Sequence, residues 1–350
     1  MSIKTIVEAA LQAPSGDNCQ PWKVIISENQ MTLLNVPERD TSLYNFRQRT
    51  SFIAHGAFLE NTVIASSSCG YRAQINTFPD ESNPNLVARV FFERSEKRDA
   101  GLYPYIPLRT TNRKPYNMKP LTLAQEATLE NSARFLGFGS VKLLKGTAKK
   151  TVARIIALND RLVFENARLH SFLFYHLRWT EEEARRTRDG LYVGTLEIPP
   201  FQAPGLRLLR NWPMVRALNR AGLSRIIGKK AQRLALSASA IGMVTMPDDK
   251  NINFLNGGRI MQRTWLEATR MGLSFHPMTG FVFLMQRVSA GNTDGLAESH
   301  IRMIRSAEHG LRTAYNLKKE TIVLLFRVGY GASPMARSLR LPLESIAEEG

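Results

Sequence analysis

Apolar and polar positions alternate along the chain in short blocks whose periods switch repeatedly between helical and extended spacing. Ile3 to Gln12 reads as a short helix, Trp22 to Ser27 and Met31 to Val36 as strands, and Ser51 to Gly70 as a long, largely apolar helix. Strands at Gln74 to Phe78 and Leu86 to Phe92 follow. After a Pro- and Tyr-rich passage at Tyr103 to Pro107 the order restarts, with helices expected over Thr122 to Gly137 and Thr147 to Thr180. A helix at Gly258 to Gly272, a strand region at Gly280 to Gln286, a helix at Ser299 to Leu317 and a strand at Thr321 to Val328 complete the pattern. Helices and strands intermix without a regular β-α-β rhythm, which predicts an α+β layered fold over a doubly wound one.

The pattern contains an internal repeat. Laying Gly56 on Gly258 sets Glu60 on Gln262, Thr62 on Thr264, Ile64 on Leu266 and Gly70 on Gly272 without a gap. Each copy is a helix with glycines at both ends, followed by a strand. Two such copies in one chain pack most naturally as a pseudo-twofold pair, the intramolecular version of an isologous dimer. The alternative is two buried helices that share glycine ends by chance.

Composition narrows the class. The 350 residues are 43% hydrophobic, enough for a sizeable core, while length alone leaves the domain count open. The greasiest run, Leu169 to Trp179, is interrupted by His170, Ser171, His176 and Arg178, so a membrane-spanning helix is not expected. Met1 to Leu11 has neither the apolar core nor the small-residue site of a signal peptide, and a cytoplasmic address is the expectation. Cys19 and Cys69 lack the spacing of a zinc site, which fits a reduced compartment; a redox-active or metal-bound pair is the alternative. None of the six histidines forms an H-x-x-x-H pair, so no metal is expected, and Gly329 to Gly331 is too short for a dinucleotide fingerprint. A net charge of +17 favours an anionic partner: nucleic acid, acidic lipid or a phosphorylated small molecule.

Three segments carry candidate chemistry. Ala13-Pro14-Ser15-Gly16-Asp17-Asn18-Cys19-Gln20-Pro21-Trp22 is a turn-rich loop between helix and strand. Its Ser, Asn and Gln offer donors and acceptors suited to a planar heterocycle, although a plain connector would use the same turn residues. Arg109-Thr110-Thr111-Asn112-Arg113-Lys114 combines cations with hydroxyls, a mixture that suits a phosphate and that also occurs in solvated basic turns. Near the C-terminal end, Gly329-Tyr330-Gly331 leads into Arg337-Ser338-Leu339-Arg340-Leu341-Pro342-Leu343-Glu344.

Together these segments resemble the nitroreductase superfamily. The first looks like its A-P-S-x-x-N-x-Q-P-W loop, the second like its R-x-S-x-R opening, and the third like its closing G-Y-x-x-x-P and R-x-P-L-E signature. Trp265 to Leu273 followed by Pro277-Met278-Thr279-Gly280 is similar to the central helix and to the loop crossing the flavin's reactive edge, with Thr279 where ordinary members often carry Glu. The resemblance implies an FMN cofactor contacted by Pro14, Ser15, Asn18, Gln20, Arg109, Thr111, Arg113, Pro277, Thr279, Gly280, Arg337 and Arg340. It singles out no catalytic side chain, because in such proteins the flavin carries the reaction.

The first loop precedes the R-x-T-x-R segment here, the reverse of an ordinary member, in which two subunits supply one site. The order, with Arg47 and Arg49 ahead of His55-Gly56-Ala57, resembles most closely the Acg-type branch, a fused pseudo-dimer. A nitroreductase-like three-layer α+β fold is therefore implied, with unequal halves at 1–105 and 106–350. One half would donate the loop and the other the phosphate clamp to a single FMN. Leu236 to Met246 reads as a degenerate copy of the loop, without Q-P-W. The implied activity is hydride transfer from NAD(P)H through the flavin to a nitroaromatic, quinone or similar small aromatic acceptor. A non-catalytic FMN-sequestering protein and a flavin-fragmenting enzyme are the alternatives.

Residues 203–234 fit no superfamily motif. They hold Arg207, Arg210, Arg216, Arg220, Arg225, Lys229, Lys230 and Arg233, no acid, and apolar residues at helical spacing. Such an insertion can pack as a lid or lie on an anionic membrane surface. Nucleic acid is not expected, since no aromatic platform or helix-turn-helix pattern accompanies the charge.

Overall fold

The computed structural model describes residues 2–97 and 101–350; Met1, where the N-terminal reading begins, lies outside them. The chain folds twice through one topology. The first copy runs α1 (Ile3–Ala10), β1 (Trp22–Ile26), β2 (Gln30–Asn35), α2 (Arg49–Cys69), β3 (Tyr71–Thr77) and β4 (Leu86–Arg94). The second runs α3 (Leu123–Leu136), β5 (Ser140–Leu144), then α4 (Lys149–Val163), α5 (Ala167–His176), β6 (Leu177–Arg178), α6 (Glu181–Thr187), β7 (Leu191–Tyr192), α7 (Ala203–Leu208), α8 (Trp212–Arg220) and α9 (Leu223–Leu236). It returns to the pattern with β8 (Ala240–Met246), α10 (Asn251–Arg270), β9 (Ser274–Pro277), α11 (Gly280–Ser289), α12 (Glu298–Ala314) and β10 (Thr321–Gly329). A last strand, β11 (Ala347–Glu349), ends the chain.

Sheet order exposes the repeat. The first sheet is ordered β11-β1-β2-β4-β3 and the second β5-β8-β10-β9. Matching β1, β2, α2, β3 and β4 with β5, β8, α10, β9 and β10 gives the same order and the same antiparallel pairings in both. The segments 145–239 and 278–320, which carry α4 to α9 and α11 to α12, are additions to the second copy alone. β11 crosses to the first sheet and pairs parallel with β1.

Helices α2 and α10 lie between the sheets and cross at their glycines. A Cβ on Gly56 would sit 1.9 Å from the Leu255 carbonyl oxygen, and one on Gly258 would sit 2.0 Å from that of Ile53. The exchange that carries 53 to 255 and 56 to 258 turns one contact into the other, which is the mark of a local twofold axis. The same exchange relates the Arg263–Glu60 ion pair (2.6 Å) to the Gln262–Asn61 hydrogen bond (2.7 Å). Farther along the axis the equivalent residues Ile64 and Leu266 are buried together under Leu102 and Ile106. The core is continuous from the first sheet through these helices to the second.

Burial explains the strand patterns. β1 and β2 alternate buried and half-buried positions, because the first sheet has one covered face. β8 is buried throughout and β10 nearly so, because the added helices cover the outer face of the second sheet with a second core.

Three sequence expectations are corrected. Gly280 to Gln286 forms the start of α11 rather than a strand; a short apolar run supports either form, and its length beyond seven residues decides for helix. The continuous helix expected over Thr147 to Thr180 is broken after Val163, and α5 restarts with the Asn166 side chain accepting from the Arg168 and Leu169 backbone N–H groups. Leu236 to Met246 is no loop remnant, since its greater part is strand β8.

Candidate functional site

The loop at 11–21 joins α1 to β1 and is held in a conformation that side chains resist. Asp17, Asn18 and Gln20 have φ of 44°, 57° and 50°, the left-handed region where Gln is unusual. The geometry persists because it is over-determined. The Ser15 hydroxyl accepts from the Gln20 backbone N–H (2.9 Å), and Arg39 donates to the Gln20 carbonyl (2.8 Å). The Gln20 amide donates to the Arg188 carbonyl (2.9 Å) and accepts from the Leu341 N–H (2.8 Å). Asn18 donates to the carbonyls of Arg188 (3.2 Å) and Leu339 (3.0 Å) and accepts from Arg340 (2.8 Å).

These bonds gather four segments around a cleft of about 600 Å³. Its walls include Pro14, Ser15, Asp17 and Asn18, then Arg109, Thr111 and Arg113, then Arg188 and Thr195, and finally Ala336 to Glu344 with Arg337 and Arg340. Gln20 is wholly buried behind the wall, its side chain spent on the bonds that hold the cleft together.

Five arginines converge here. Arg109 donates to the Gln12 carbonyl (3.0 Å) and lies over the Trp265 ring (4.3 Å), while its buried Nε has no hydrogen-bond partner among the described residues. Arg113 donates to the Thr195 carbonyl (3.0 Å), Arg340 to Ala13 (3.1 Å), Arg188 to Arg340 (3.4 Å), and Arg337 to Leu108. None of the five is ion-paired with an acid among the described residues; the neighbouring pair, at 3.8 Å, joins Lys114 to Glu197. Burial, with Arg340 and Arg337 close by, holds the Arg109 guanidinium well below its ordinary range, and burial beside Arg337 brings Arg340 to about 10. Positive charge in excess of the nearby Asp17 and Glu197, and desolvated at Arg109, Arg113 and Arg340, favours an anion, and forked guanidinium donors match phosphate oxygens.

The far wall is built from Thr111 onward. Thr111 bridges to Phe275 of β9, and the Asn112 N–H donates to the Phe275 carbonyl (3.0 Å). Pro277 ends β9, Thr279 precedes α11 and Gly280 opens it; all three are half-buried and none lines the cleft. Gly280 presses on Asn159, whose Oδ1 would lie 2.3 Å from an added Cβ and accepts from the Tyr44 hydroxyl (3.0 Å). Burial raises the Asp17 carboxyl above its usual range, with His176 and Arg113 opposing. His276 is kept well below the usual imidazole range by burial and by Arg327 and Arg113.

Two residues that support the site were not singled out from the sequence. Arg327, fully buried on β10, donates to the carbonyls of Asn112 (3.1 Å), Lys114 (2.9 Å) and Leu234 (3.0 Å) and stacks on Tyr116 (4.1 Å). Asn112 bonds Ser274 and the Ala332 carbonyl, both at 2.8 Å. A lone cation inside the apolar run Thr321 to Val328 was the available signal for Arg327, since a buried charge requires an arranged set of acceptors.

No family model matches the chain. An uncharacterized protein of Mycobacterium tuberculosis is 29% identical over 350 residues, covering 98% of this chain, which spans only 48% of that relative's length. The acg protein of Mycobacterium tuberculosis, which carries the provisional name NAD(P)H nitroreductase, is 22% identical over 285 residues, covering 79% of this chain and 80% of its own. Among solved structures, the FMN-dependent nitroreductase NfnB of Mycobacterium smegmatis, determined with NADPH, covers 72% of this chain and 99% of its own at 13% identity and a TM-score of 0.40. The resemblance read from the motifs is borne out at the level of relatedness: the chain is a relative of Acg-type, nitroreductase-like proteins.

Proposed function

We propose that the chain is an FMN-binding, nitroreductase-like oxidoreductase that holds one FMN in the arginine-lined cleft. The observation that carries the reading is the set of Arg109, Arg113, Arg188, Arg337 and Arg340, converging with no ion pair to an acid among the described residues, and with the buried Nε of Arg109 unsatisfied there. Arg109, Arg113, Arg337 and Arg340 would hold the phosphate and Thr111 the adjoining polyol. Pro14, Ser15 and Asn18 would border the ring, while Gln20 fixes the loop from behind. Pro277, Thr279 and Gly280 stand outside the cleft lining and would meet the opposite edge only of a ring that extends beyond the arginine-lined cleft toward the start of α11. When bound, FMN supplies the two-electron chemistry that no side chain here provides. NAD(P)H as donor and a nitroaromatic or quinone as acceptor complete the reading. Halves 1–105 and 106–350 act as the fused counterpart of two subunits, the first supplying the loop and the second the arginines.

Titration of the purified chain with FMN, followed by flavin fluorescence and the visible spectrum, tests the binding. Saturation is expected near one equivalent. A colourless chain that ignores added FMN overturns the proposal, and saturation at two equivalents overturns the single fused site.

A second reading, a protein that sequesters FMN and turns over little, is favoured by the ties across the cleft from Asn18 and Gln20 to Arg188, Leu339 and Leu341, and by Thr279 at the ring edge. Steady-state oxidation of NADPH and NADH with nitrofurazone or menadione separates the two. Rates above free FMN establish the oxidoreductase, and rates equal to free FMN establish the sequestering protein.

A further inference from the structure

Residues 203–234 belong neither to the repeat nor to the cleft wall, and they form a surface of unusual composition. Their inner side is anchored. Val215 is buried, Asn219 donates to the Phe164 carbonyl, the Ser224 hydroxyl donates to Glu165 (2.8 Å), and Gly228 packs against the Ala157 carbonyl of α4. On α9 the buried positions Ser224, Gly228, Ala231 and Ala235 recur at helical spacing, which turns Ile226, Lys230 and Arg233 outward.

The outward side is both cationic and apolar. All eight cations of the segment are exposed, the segment has no acid, and none of the eight is ion-paired among the described residues. They supply eight of the chain's seventeen net positive charges. Between them stand Leu208 (60% exposed), Ile226 (64%), Met214 (39%) and Leu218 (41%). On α8, Met214 and Leu218 are one turn apart, as are Arg216 and Arg220.

Different partners would use these features differently. A nucleic-acid backbone rewards the cations but gains nothing from exposed aliphatic side chains, and the one aromatic within 203–234, Trp212, is half-buried, leaving Phe201 at the edge of α7 as a lone exposed ring. An anionic bilayer surface rewards both, since headgroup phosphates meet the cations while Leu, Met and Ile enter the acyl boundary. The two and a half turns of α8 and nearly four of α9 lie along the surface, and no helix among the described residues is long and apolar enough to cross a membrane. We infer that α7 to α9 form a docking face for an anionic lipid bilayer, with the cations bound at the headgroups and Leu208, Met214, Leu218 and Ile226 inserted at the interface.

Co-sedimentation with vesicles of phosphatidylcholine alone or mixed with phosphatidylglycerol tests this, using the full chain with and without FMN. The expected result is at least about tenfold stronger binding to the anionic vesicles, whatever the flavin content, lost on going from 0.1 to 1 M salt as the screening length falls from about 10 to 3 Å. Replacing Arg216, Arg220, Lys229 and Lys230 with Ser should weaken binding by at least about a hundredfold. The combination Leu208→Ser, Leu218→Ser and Ile226→Ser keeps every cation and should still weaken it by at least about tenfold, because insertion is lost. These positions are exposed, and an unchanged thermal midpoint verifies the fold without reference to flavin. No binding to anionic vesicles at low salt overturns the inference. So does vesicle binding that the three serines leave intact, or duplex DNA bound as tightly as vesicles and indifferent to them.

Discussion

Replacing Arg109 with Met isolates the proposed phosphate contact from the rest of the proposed flavin site. Methionine keeps the unbranched stem and much of the packing on Trp265, where the guanidinium now lies 4.3 Å from the ring, but removes the charge and its donors. Without ligand, the loss is the bond to the Gln12 carbonyl, worth about 1 kcal/mol. Against it stands relief of a desolvated cation facing Arg340 and Arg337, so the unliganded midpoint should hardly move. With FMN, a charge-assisted contact of about 1.5–3 kcal/mol disappears, which weakens binding about ten- to a hundredfold. Riboflavin has the same ring and no phosphate, so its affinity should stay within about twofold, and the preference for FMN over riboflavin should collapse. Fluorescence titration of both flavins against wild type and Arg109→Met reads this directly. Equal weakening of both flavins, or of neither, refutes the assignment of Arg109 to the phosphate.

Further outcomes follow from the helix crossing and its buried groups. Gly56→Ala and Gly258→Ala should each destabilise by about 1–3 kcal/mol or more in urea unfolding, because the new methyl meets a backbone oxygen rather than a side chain. The double variant should cost clearly less than the sum, since both methyls push the same helices apart; strict additivity would contradict the shared axis. Glu60→Gln leaves Arg259 and Arg263 facing a neutral group and should cost about 3–5 kcal/mol, with Arg263→Met in the same chain recovering part of it. His55 is buried at 0% exposure, and burial lowers its folded pKa from 6.5 to about 3. Its contribution to stability is therefore full above pH 6.5 and is lost as pH falls toward 3, amounting to about 3 kcal/mol at pH 4. His55→Gln should flatten that part of the stability profile, and an unchanged acid limb would exclude His55 as its source.

Much of the repeat was legible because glycine leaves a mark where backbones touch: aligning Gly56 with Gly258 located both central helices and, through Glu60 and Gln262, the pairing across them. The three segments that wall the cleft were also visible as motifs, since loops that approach a charged ligand use residue types a plain turn does not require. What stayed hidden was set by distant chain. The added segment 145–239 separates β5 from β8, so neither reads as the partner of the other, and β8 passed for a loop remnant. The apolar run after Gly280 gives no period by which to tell helix from strand; the observed helix runs ten residues and packs its apolar side into the core shared with α12 and β10. Arg327 was hidden for a related reason: its acceptors at Asn112, Lys114 and Leu234 lie far away in sequence.

The topology also bears on why the arginine-lined cleft forms on one side of a twofold scaffold. Exchange of the two copies carries the 11–21 connection between α1 and β1 onto the connection between α3 and β5, which is only the three residues Gly137, Phe138 and Gly139. A turn that short cannot supply the hydroxyl and amides that Ser15, Asn18 and Gln20 bring, and a Cβ on Gly139 would already lie 2.7 Å from the Thr245 carbonyl oxygen. The asymmetry is reinforced from the other side, because residues 336–344 complete the cleft on their way to β11, which joins the first sheet and has no counterpart on the second. The β1–β2 hairpin is a tight turn at 27–29, whereas the matching place in the second copy opens into 145–239, whose Arg188 and Thr195 reach back to the same cleft. Each departure from symmetry therefore adds a wall to one site, and the shortened loop removes one from the other. The twofold axis persists where it holds the helices together, at Gly56, Gly258, Glu60 and Gln262, and is abandoned where the chain would otherwise have to build a second set of walls.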